Sequence, residues 1–163
     1  MIVTPNDVLE RLKKLVQEKF PGEDVHLNLC PEGSARPCTL IELAGCTGNV
    51  GFGCQTVELR PTVRLTTFVK TDEYHHSHMA DLHLRQMMLL GLFLPGYIKV
   101  KDRAVKVGLG GQTDGLIQLD GGWDYDTVTV PLVYTLDRGD FENIPQLPAM
   151  GELHIRQEVV TYG

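Results

Sequence analysis

The sequence has no run of clustered basic residues, no apolar stretch of membrane-spanning length, and no cysteine pair at zinc-site spacing or H-E-x-x-H motif. Each absence removes a class of function. Nucleic-acid binders carry a basic stripe that replaces counterions along the phosphates. Here the formal charge is -6, and the densest basic stretch, Lys99, Lys101, Arg103 and Lys106, is interrupted by Asp102. That stretch reads as the solvated side of a hairpin, so sequence-specific nucleic-acid recognition is not expected. The longest apolar run, Met87 to Leu94, contains Gly91 and falls far short of the roughly 20 residues that span a bilayer. The start, Met1 to Asn6, lacks the basic and apolar regions of a signal peptide. The expectation is a chain that meets no membrane and sits in a cytoplasm.

Four cysteines, Cys30, Cys38, Cys46 and Cys54, recur every eight residues. Zinc sites bring ligands in close C-x2-C or H-x3-H pairs, and this spacing predicts four free thiols in a reducing compartment. His75, His76, His78 and His83 lie at the start of the second expected helix. On a helix His75 would share a side with His78, and His76 with His83, but no H-E-x-x-H pair is present. First-turn surface histidines are the simpler reading, with a metal-binding protein or enzyme built on this cluster as the alternative. Gly108-x-Gly110-Gly111 follows a strand but is not succeeded by a helix, so it fails as a dinucleotide or phosphate loop. No G-x-S-x-G elbow occurs. Asp120, Asp124 and Asp126 lack the order of an EF-hand and read as a solvated acidic turn anchored by a buried Trp123. No catalytic, cofactor-binding or metal residue is therefore assigned, and a non-enzymatic protein is expected.

What is present is an ordinary globular composition, 42% hydrophobic and 22% charged over 163 residues, which fits one domain with its own core. Thr4, Pro5 and Asp7 spell the start of a helix. Val8, Leu12, Leu15 and Val16 form its apolar stripe, and Phe20-Pro21-Gly22 ends it. Val25, Leu27 and Leu29 alternate as a strand, Cys38 to Ala44 forms another, and the glycine-rich stretch from Gly45 to Gly53 forms a loop or hairpin tip. Val57, Leu59, Val63, Leu65 and Val69 alternate with polar residues, which predicts a long strand with one buried face; Pro61 implies an edge or a bulge.

A second helix is expected from about Asp72 to Phe93, with one stripe through Met79, Leu82, Gln86, Leu89 and Phe93. Leu84, Met87, Met88 and Leu92 form another, so the helix is either sandwiched in the domain or exposed for a subunit contact. Ile98 to Val107 turns at Lys101-Asp102. Leu116 to Leu119 is a short strand, and Thr127 to Leu136 a long one. From Asp137 to Glu152 the chain reads as a connector rich in proline and glycine, followed by a strand from Leu153 to Val159. The expected architecture is α+β: a mixed, mainly antiparallel sheet backed by two helices over residues 1–137, with a C-terminal arm over 138–163.

This order is a capped helix ending in Phe20-Pro21, a strand into Arg36-Pro37-Cys38-Thr39-Leu40-Ile41-Glu42-Leu43, a glycine-rich tip, then Leu59-Arg60-Pro61-Thr62-Val63-Arg64-Leu65. A helix and a closing hairpin of long strands complete it. It resembles the tail terminator proteins of long-tailed bacteriophages and prophages over roughly Thr4 to Leu136, in pattern and without a chemical motif. The resemblance implies a subunit that self-associates into a hexameric ring, closes the tail tube and meets the neck proteins, without catalytic residues. It also implies assembly in the host bacterial cytoplasm and a final place in the virion tail. Another neck or head-tail completion subunit is the nearest alternative.

Overall fold

Helix α1 (Pro5–Lys19) begins where the sequence predicts, and for the predicted reason. The Thr4 side chain accepts from the Asp7 N–H, and the Asp7 carboxylate accepts from the Thr4 N–H at 2.7 Å, so two of the helix's orphan amides are satisfied reciprocally. Its inner face, Val8, Leu9, Leu12 and Val16, is fully buried. The computed structural model describes residues 2–71, 79–108, 116–142 and 144.

Among the described residues seven strands form one curled, mixed sheet: β1 (Asp24–Leu27), β2 (Cys38–Val50), β3 (Thr56–Phe68), β4 (Tyr97–Val100), β5 (Arg103–Val107), β6 (Gln118–Gly121) and β7 (Tyr125–Asp137). Their order is β1-β2-β3-β7-β5-β4, with β6 also paired to β7. Only β1 and β2 are parallel; the other pairings are antiparallel. The fold is α+β, with the sheet backed by α1 and by α2 (Met79–Gly91). A short α3 (Arg138–Phe141) follows β7.

The period-2 pattern decides which face of each strand is covered. Val63 and Leu65 of β3, Ile41 of β2, and Val128, Val130, Leu132, Tyr134 and Leu136 of β7 join α1, Leu89 and Phe93 in one core. The curl brings β4 against α1 as well as β1 and β2. Polar bonds fasten that closure: Arg11 Nε donates to the Lys99 carbonyl, the Tyr134 hydroxyl to the Val3 carbonyl, and Lys101 Nζ to Asp7 at 3.1 Å. Of the basic residues of the β4–β5 hairpin, Lys101 meets Asp7 and Arg103 meets Asp140 of α3, while Lys99 and Lys106 are exposed.

β3 departs from its expected pattern in an instructive way. Val63, Leu65 and Val69 are buried, while Val57 and Leu59 are only half-buried. That half of the strand runs out with β2 as a hairpin beyond the helices, and β2 is exposed from Ala44 to Val50. Of the two readings of the glycine-rich stretch, loop or hairpin tip, the hairpin is realised: most of it is paired strand, Gly48 lying opposite Leu59 and Asn49 opposite Glu58. Only its end turns, closed by Gly51 N–H to the Thr56 carbonyl at 2.7 Å. Pro61 lies inside the sheet rather than at its edge, opposite Cys46. The missing N–H is tolerated because β3–β7 pairing lapses between Leu59 and Thr62. A bulge in β2 between Leu43 and Gly45 lies next to it, so the expected irregularity is present.

Candidate functional site

Three features outside the core carry chemistry or contact potential. The first stands on the open face of the sheet, opposite the helices. In the parallel register His26 lies beside Leu40, and Cys38 is two residues earlier on β2, so both side chains project to that open face. After β1 the chain reverses at Asn28, whose φ is +61°; its N–H donates to the Ile41 carbonyl at 2.8 Å. The return carries Cys30 back over the strands. A ring nitrogen of His26 and the sulfurs of Cys30 and Cys38 all lie within 4.8 Å of one another. His26 Nε2 is buried and has no hydrogen-bond partner among the described residues. Burial, and then the neighbouring Cys30, push the Cys38 thiol up to about 11. The loop from Asn28 to Pro37 is pinned at its far end by Arg36. That guanidinium bonds Asp124 at 2.7 Å and lies over the Phe68 ring, 5.1 Å from its centre.

Sequence spacing did not single out His26, because its partners are four and twelve positions away and only strand pairing joins them. The eight-residue cysteine period itself is not a constellation. The β2 bulge turns Cys46 to the helix side, opposite Pro61, and Cys54 sits at the exposed hairpin tip. All four thiols are free.

The second feature is α2. Its expected inner stripe is realised: Leu82, Leu89 and Phe93 are buried, while Met79 is exposed. Gln86, read in that stripe, is a polar clamp whose Nε2 donates to the carbonyls of Asp120 and Thr127, tying α2 to both β6 and β7. Arg85 holds the opposite flank, bidentate to Glu23, bonded to Thr67 and 4.2 Å from the Phe20 ring centre. The second stripe splits: Met88 and Leu92 are half-buried against the core, while Leu84 is 60% and Met87 46% exposed. Beside it lies a cleft of about 390 Å³ bordered by Phe20, Pro37, Val69, Leu84 and Met88.

The third feature is the acidic turn. Trp123, expected to be buried, is 52% exposed, because the turn stands off the end of the sheet. Asp124 is paired with Arg36, and Asp126 is buried at the start of β7. The three aspartates do not converge as cation ligands; among the described residues the His26, Cys30, Cys38 group alone does. His75, His76 and His78 lie outside the described residues, as do Gly110 and Gly111, Asn143 and the arm from residue 145 onward. His83 is exposed, its Nε2 3.9 Å from Asp126. No described helix is long and apolar enough to cross a membrane.

Comparison with protein-family models and with characterised proteins finds no match for this sequence.

Proposed function

We propose that this chain is a non-catalytic structural subunit of the tail terminator type, assembling with copies of itself into a ring that closes a phage tail tube and meets the neck. The observation that carries the reading is the second apolar row of α2. Gln86 and Arg85 hold the helix on the sheet, yet Leu84 and Met87 are exposed, Leu84 at a mainly apolar cleft that Lys70, Asp81 and Arg85 also line. A fixed helix with an uncovered apolar face is the form a subunit contact takes. The occupant proposed is a neighbouring copy. Head-to-tail contacts close into rings when the rotation permits, and the exposed outer half of β2, Ala44 to Val50, supplies a second, differently placed surface for such a contact.

The net charge of -6 per subunit suits this role, since a ring that is acidic overall repels rather than holds passing DNA. Host cytoplasm during assembly and then the virion tail are the corresponding locations. The test is to mix the purified full-length protein with purified tail tubes and image the tubes by electron microscopy. Rings capping one tube end support the reading. Absence of binding at every protein concentration contradicts it, and binding only to head connectors assigns the chain to the neck instead.

A further inference from the structure

We propose that His26, Cys30 and Cys38 form a binding site for a thiophilic metal ion, with Zn²⁺ as the reference ligand. The inference does not depend on ring assembly. It reverses the expectation from cysteine spacing, because parallel pairing of β1 with β2 and the reversal at Asn28 supply the proximity that the linear spacing lacks.

The donor chemistry is specific. Two sulfurs and one imidazole nitrogen form the ligand set that selects zinc or another soft to borderline ion over magnesium or calcium. In a tetrahedral site with Zn–S about 2.3 Å and Zn–N about 2.0–2.1 Å, neighbouring donor atoms stand roughly 3.5–3.8 Å apart. A mutual spacing within 4.8 Å reaches that geometry with side-chain shifts of about an ångström or less. The surroundings point the same way. A buried imidazole nitrogen without a hydrogen-bond partner is unfavourable, and a metal ion satisfies such an atom.

Cys38 is 1% exposed, so its sulfur faces the other two donors rather than solvent. Cysteine ligates as the thiolate, so each S–H proton passes to solvent as the sulfur bonds the ion, and the His26 lone pair completes three positions. The fourth is left to water or another donor; Asp24, beside Cys38 in the strand register, is the adjacent carboxylate. The ion would fasten the loop from Asn28 to Pro37 onto the open face of the sheet, at the end opposite the Arg36–Asp124 pair.

The experiment titrates the reduced full-length protein, purified without a histidine tag, with Zn²⁺ against a chelating indicator, and with Co²⁺ followed by absorption. A variant in which His75, His76, His78 and His83 are all glutamine serves as background, so that the histidine cluster cannot contribute. The expected result is one ion per chain, a thiolate-to-cobalt charge-transfer band, a raised melting temperature, and tighter binding as pH rises. His26→Ala and Cys30→Ser should each weaken binding by more than the roughly 10–100-fold that changes around a metal's ligands produce. Cys46→Ser should leave it unchanged. Cys38→Ser is judged only if its metal-free circular dichroism matches that of the parent, and the exposed-side Cys30→Ser otherwise decides. No uptake at micromolar Zn²⁺ overturns the proposal. So does binding indifferent to His26→Ala, or a Cys30–Cys38 disulfide that forms on mild oxidation in a protein whose reduced form takes up no metal.

Discussion

Asp126 stands 4% exposed at the start of β7, and its Oδ2 has no hydrogen-bond partner among the described residues. Burial pushes this carboxyl above the ordinary carboxylate value of 3.8; His83 draws it down, and Asp120 adds to the rise. A group raised in the folded state contributes stability below its unfolded value and loses it as pH rises through the folded value. Asp126→Asn should therefore stabilise the protein at neutral pH by about 1 kcal/mol. Denaturant titrations at pH 7 and pH 4 check this, and the gain should shrink at the lower pH. Asp7 has the opposite sign. Burial raises it, but the Thr4 N–H, then Lys101 and the Thr4 hydroxyl, outweigh burial and hold it below 3.8. Its contribution is present above the unfolded value and is lost as pH falls through the depressed one. Asp7→Ala should cost about 1–2 kcal/mol at neutral pH and much less in acid, measured on the same titrations.

At the scale of elements, β3 gives the cleanest contrast. Val63 is fully buried between β2 and β7, so Val63→Asp should cost several kcal/mol, roughly 3–5, by placing an unpaired charge in the core. Arg64, one residue on, is exposed on the open face, and Arg64→Ser should change stability by no more than about 0.5 kcal/mol. Equal losses on thermal unfolding would mean that the strand register is wrong.

The hairpin tip makes a second demand: a Cβ on Gly51 would meet Thr56 Oγ1 at 2.3 Å and the Thr56 carbonyl at 3.3 Å. Gly51→Val should accordingly disturb the tip while leaving the core intact, seen as amide exchange confined to residues near 51–56. The elements were legible in the sequence where one face of each is covered, because burial then writes its period into residue choice. Val8, Leu12 and Val16 show this on α1, and Val128 to Leu136 on β7. The outer half of β2 was not legible, since Gly45, Gly48 and Asn49 are held by backbone pairing alone and carry no burial signal. The His26, Cys30 and Cys38 group was hidden for a related reason: proximity across a parallel strand pair leaves no fixed spacing along the chain.

At the scale of the whole molecule, the account rests on one asymmetry. α2 is sealed to the sheet on its inner side by Leu82, Gln86 and Leu89, and leaves Leu84 and Met87 open on the other. Met88 and Leu92 of the second stripe turn inward onto the core, and among the described residues no further layer covers Leu84 and Met87. The most direct test measures mass and particle shape of the full-length protein over a concentration series reaching millimolar, alongside Leu84→Asp/Met87→Asp. Both residues are exposed in the single chain, so the double variant should keep the parent's melting temperature within about the range of ordinary surface changes, 0.5 kcal/mol or less. The account predicts closed rings for the parent, at high concentration or on tail tubes, and their loss in the folded variant. A parent that stays monomeric at millimolar concentration and ignores tail tubes would contradict it, as would rings that form equally well when α2 carries two added charges.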